Sequence, residues 1–67
     1  MTNEERKEHI LLKLRTVSKA KGIYEYELYG EGEMRDWEES LAQLAEEEKI
    51  ECRVYDGDLW VRGLMVN

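Results

Sequence analysis

The segment IECRVYDGDLWVRG, Ile50 to Gly63, constrains the fold more than any other part of this 67-residue chain. Two runs of alternating apolar and polar residues flank Asp56-Gly57. Asp-Gly is the dipeptide that accepts positive φ at both central positions of a two-residue type I′ turn. That turn sets the register: Tyr55 pairs with Asp58, Val54 with Leu59, Arg53 with Trp60, Cys52 with Val61 and Glu51 with Arg62. Side chains alternate across a strand, so Cys52, Val54, Leu59 and Val61 share one face, expected to be the core face. The other face then carries Arg53 against Trp60 as a cation–π contact and Glu51 against Arg62 as an ion pair. Each stabilises by roughly 0.2–1 kcal/mol.

Before the hairpin, MRDWEESLAQLAEEEKI reads as an amphipathic helix. Met34, Trp37, Leu41, Leu44, Ala45 and Ile50 form one apolar stripe. With Met34 at zero and about 100° per residue, the stripe centres near about 330°. Asp36, Glu39, Gln43, Glu46 and Glu47 fall opposite, with Arg35 at the shoulder and no lysine on that face. At the amino end, Thr2 and Glu5 fit a capping box, and Ile10, Leu11, Leu14, Val17 and Lys21 repeat at helical spacing up to Gly22, a natural left-handed stop. Leu12 falls on the polar side. Between the helices, IYEYELYGEGE fits a short helix through Ile23, Tyr26 and Tyr29, or a strand through Tyr24, Tyr26 and Leu28. A brief extended piece followed by one or two helical turns is the preferred reading, and Gly30 and Gly32 end it.

These elements make one domain, residues 1–67: a helix over about 3–21, a short element over about 23–29, a helix over about 33–49 and a hairpin over about 50–63. With 42% hydrophobic residues the chain packs a core, and a core this small supplies roughly 3–5 kcal/mol. The net charge is −6. Residues 1–22 carry six basic and three acidic side chains, +3, whereas residues 23–67 carry four basic and thirteen acidic, −9. Most of the chain therefore repels a polyanion. The single cysteine, Cys52, is expected in the core of a protein in a reducing cytoplasm. No apolar run approaches a membrane span and no signal-peptide pattern precedes the first helix, so no membrane partner is expected.

Helix, short element, amphipathic helix, hairpin: this order, carried by LLKLRTVSKAKGIYEYEL and WEESLAQLAEEEKIECRVYDGDLWVRG, resembles the winged-helix family, a helix-turn-helix variant of the α+β class. The resemblance covers nearly the whole chain and rests on hydrophobic spacing and one turn. It implies that Met34 to Lys49 is the recognition helix and Glu51 to Gly63 the wing. Recognition helices in the family bring Arg, Lys, Asn or Gln to DNA. Here the matching positions hold Asp36, Glu39, Gln43, Glu46 and Glu47, and the wing tip holds Asp56 and Asp58.

The acids at Glu46, Glu47 and Glu48 sit at a helix carboxyl end, where the macrodipole disfavours them and like neighbours repel by roughly 0.2–0.5 kcal/mol per pair. A face shaped to meet a basic protein surface explains their presence. The expected function is thus a non-enzymatic interaction module or regulator, in its sharper form an inhibitor that mimics DNA, of a kind at home in a phage. Its contacts would be Asp36, Glu39, Gln43, Glu46, Glu47, Tyr24 and Trp60. Tyrosines interleaved with acids suit surfaces that receive Lys and Arg, although Tyr26 is expected to pack over the core. The alternative is a DNA-binding regulator, acting as a homodimer through Leu12 or Trp60, with contacts from Arg15, Lys19, Arg35, Gln43, Arg53 and Arg62. Catalysis is not expected: His9 has no nucleophile at a useful spacing, and neither a zinc-type Cys/His cluster nor a Gly-rich phosphate loop is present, so no cofactor or metal is implied.

Overall fold

A computed structural model describes residues 1–16 and 22–64. In chain order the elements are α1 (Asn3–Arg15), β1 (Ile23–Tyr24), α2 (Glu25–Leu28), α3 (Met34–Glu46), β2 (Ile50–Tyr55) and β3 (Asp58–Gly63). The three helices pack beside a small antiparallel sheet of order β1-β3-β2, a winged-helix-like arrangement of the α+β class.

Local chemistry accounts for the boundaries. Thr2 and Glu5 form the capping box: the Glu5 amide donates to Thr2 Oγ1 at 3.2 Å, and the Thr2 amide donates to Glu5 Oε1 at 2.8 Å. α1 is described over Asn3–Arg15 with Thr16 as C-cap, its hydroxyl donating to the Lys13 carbonyl at 2.7 Å, and residues 17–21 of the expected helix lie outside the described residues. The expected stripe positions Val17 and Lys21 lie outside the described residues. Gly22 has φ 72, and a Cβ there would lie 2.8 Å from the Val61 carbonyl oxygen, so only glycine lets the chain enter β1 this close to β3. The ambiguous tyrosine segment is a two-residue strand followed by one helical turn.

The hairpin adopts the register set by its turn, from Tyr55 opposite Asp58 to Glu51 opposite Arg62, with Asp56 at φ 51 and Gly57 at φ 84. β1 adds a third strand, placing Ile23 opposite Val61 and Tyr24 opposite Trp60. The core comprises Ile10, Leu14, Leu28, Trp37, Leu41, Leu44, Ile50 and Val61.

Several expected core positions differ. Val61 is buried and Leu59 partly so, but Val54 is 67% exposed and Cys52 is exposed as well. The helices cover only the base of the hairpin, and its outer half projects beyond them as a wing. Tyr26 also points away from the core, at 63% exposure, while Tyr29 packs against it. Met34 leaves the stripe, 61% exposed at the first turn of α3. The buried residues of α3 are Trp37, Ser40, Leu41 and Leu44, an arc about 40° from the expected centre and turned towards α1.

Candidate functional site

Ser40 explains that rotation. It is completely buried, and its hydroxyl lies 2.6 Å from Asn3 Oδ1 and 3.1 Å from the Asp36 carbonyl, either of which accepts its proton, while it accepts from Arg6 Nε at 3.0 Å. Asn3 Nδ2 in turn donates to Gln43 Oε1 at 2.7 Å. Lys7 Nζ continues the α1–α3 seam, donating to Glu47 Oε2 at 2.8 Å, and Lys49 Nζ lies 3.4 Å from the other oxygen of Glu47. The ammonium of Lys7, and then that of Lys49, holds the Glu47 carboxyl below its usual range.

This seam divides the expected acidic face. Gln43 and Glu47 turn towards α1 and are engaged there, and Asp36 is half-buried. The residues directed outward are Arg35, Glu38, Glu39, Ala42 and Glu46. None of Glu38, Glu39 and Glu46 forms an ion pair among the described residues. Glu38, absent from the sequence-based set, belongs to this face, and the rotation of the helix brings it there.

The positions expected to meet nucleic acid are less available. Arg53 and Arg62 both bind Glu51, Arg53 through Nη2 at 3.2 Å and Arg62 through Nε. Arg53, and then Arg62, lowers the Glu51 carboxyl below its ordinary range. Of the others, Gln43 is held by Asn3, Lys19 lies outside the described residues, and Arg15 and Arg35 are exposed.

The outer face of the sheet differs from expectation at Trp60. The indole is half-buried and meets Tyr24 rather than Arg53: the ring centroids of Tyr24 and Trp60 are 3.9 Å apart at 40°. β1 is the cause, since its pairing with β3 sets Tyr24 directly opposite Trp60. Tyr26 stacks on Tyr24 at 5.3 Å and 13°, completing a row of three rings. Tyr24, Trp60 and Tyr55, with Asp56 and Asp58 of the wing tip, also line an open cleft of about 400 Å³. The contribution of Tyr55 was not foreseen, although its place opposite Asp58 in the register was the available signal.

Partial desolvation, then the charges of Glu25 and Glu51, hold the Cys52 thiol above its usual range and therefore protonated. His9 packs edge-on against Trp37 at 5.1 Å between ring centroids, and its buried Nε2 has no hydrogen-bond partner among the described residues. Among the described residues there is no group of three or more His, Cys, Asp or Glu side chains that could hold a metal ion. No helix among them is long and apolar enough to cross a membrane. Comparison with family models, curated proteins and solved structures found no match.

Proposed function

We propose that the chain is a non-enzymatic winged-helix interaction module that binds a basic protein surface and acts as a regulator, adaptor or DNA-mimicking inhibitor. One observation carries this reading. Glu38, Glu39 and Glu46 stand exposed on the outward face of α3 with no ion pair among the described residues. These carboxylates give the face a single sign of charge, which a partner's lysines and arginines would complement, and that complementarity accelerates encounter. The DNA-binding reading has less support, because the wing arginines spend their charge on Glu51 and Gln43 is committed to Asn3. The test is affinity capture with immobilised protein, comparing the wild type with the triple variant Glu38→Lys, Glu39→Lys, Glu46→Lys. Glu47 is left intact because it secures α1 through Lys7. The expected result is recovery of basic proteins by the wild type and their loss from the variant, with unchanged circular dichroism. Equal recovery by a folded variant refutes the proposal.

A further inference from the structure

We propose that the cleft between β1 and the wing tip is a binding site for an arginine side chain of the partner. The inference rests on the reading that the partner is basic and goes beyond it by naming the side chain that docks and where. Three rings, from Tyr24, Tyr55 and Trp60, and two carboxylates, from Asp56 and Asp58, line this cleft of about 400 Å³. Aromatic faces attract a cation through the ring quadrupole, and neither aspartate forms an ion pair among the described residues. A guanidinium suits both features at once, because it is flat, weakly hydrated and stacks on rings while its fork of donors meets carboxylates. A lysine ammonium is a compact, strongly hydrated charge and gains less from the rings.

The cleft is also prearranged. Trp60 is fixed by pairing on both edges of β3 and by the Tyr24 ring at 3.9 Å, and Tyr24 is itself backed by Tyr26. Binding therefore orders little that is not already ordered. The chain's own Arg53 pairs across from Trp60, is drawn to the Tyr55 hydroxyl and to Glu51 at 3.2 Å, and is not itself among the residues that line the cleft.

The experiment is a nitrogen-15 NMR titration of the full chain with acetyl-Gly-Arg-Gly-amide and with its lysine counterpart, each at about 50 mM salt, where screening is weak. The expected result is saturable movement of the Trp60 indole signal and of the Tyr55 to Asp58 amides. Affinity for the arginine peptide should be about tenfold higher than for the lysine peptide. The double variant Asp56→Asn, Asp58→Asn should lose about tenfold, and asparagine tolerates the left-handed conformation that position 56 adopts, so the turn is retained. An equal response to both peptides, signals that move on α3 instead, or affinity unchanged in the double variant overturns the inference. The lysine-reversed α3 variant should still bind the arginine peptide in the cleft. If α3 reversal abolishes partner capture while the cleft ignores arginine, only this inference fails. If the cleft binds arginine while α3 reversal leaves capture unchanged, only the broader proposal fails.

Discussion

Replacing Glu48 with glycine should stabilise this protein. α3 closes in a Schellman motif: the Glu48 amide donates to the Ala45 carbonyl at 3.1 Å and the Lys49 amide to the Leu44 carbonyl at 3.0 Å. The motif needs a left-handed residue at its centre, and Glu48 supplies it at φ 61. A non-glycine residue there bears about 1–2 kcal/mol of strain, which Glu48→Gly removes. The greater freedom of glycine in the unfolded chain returns about 0.5–1 kcal/mol. Removing a carboxylate from a helix carboxyl end contributes about 0.3 kcal/mol in favour of folding. The net gain is about 1 kcal/mol, which for a domain of this size raises Tm by about 4–8 °C. Thermal unfolding followed by circular dichroism measures it, with Glu48→Ala as control. Alanine removes the charge but keeps the strained backbone, so it should gain no more than about 0.3 kcal/mol. An unchanged or lower Tm for Glu48→Gly would show that position 48 bears no such strain. A stabilised glycine variant that captures basic partners less well would indicate that the glutamate is kept for binding.

Ser40→Val should cost about 1–3 kcal/mol in urea unfolding, because it strands Arg6 Nε and Asn3 Oδ1 at a fully buried position; an unchanged midpoint refutes this role. Stability should also fall in acid. Glu47 and Glu51 titrate below their ordinary value of 4.5 in the folded protein, so their contribution is complete above that value and is lost as pH falls through the lowered folded values. The pH profile of Tm should flatten in the double variant Glu47→Gln, Glu51→Gln, and a slope identical to wild type between about pH 5 and pH 3 contradicts the assignment.

The hairpin was readable from its sequence because a two-residue Asp-Gly turn and strict alternation leave one register, and all five expected pairs form. How far its core face is covered was not readable, since that depends on the reach of the helices. Val61 is buried, whereas Val54, on the same face, projects into solvent. β1 was equally hard to assign as a sheet strand. Two residues give no periodicity, and the one clue, Gly22, reads equally well as a helix stop. The rotation of α3 escaped hydropathy because a serine counts as outward-facing, and its burial is favoured by Asn3 and Arg6, more than thirty positions away, beside the local Asp36 carbonyl. The same long-range seam withdrew Gln43 and Glu47 from the candidate face and admitted Glu38 to it. Tyr24 and Trp60 were identifiable singly as acid-flanked or wing aromatics, while their contact needed the third strand.

We propose that a winged-helix-like arrangement here carries a surface for basic proteins. Titration of the purified protein into labelled duplex DNA at about 50 mM salt, where phosphate contacts are strongest, tests it most directly. A chain that uses this surface for basic proteins shows no binding even there. Binding that weakens steeply as salt rises would contradict it, and would move the functional surface to Arg15, Arg35 and the wing arginines.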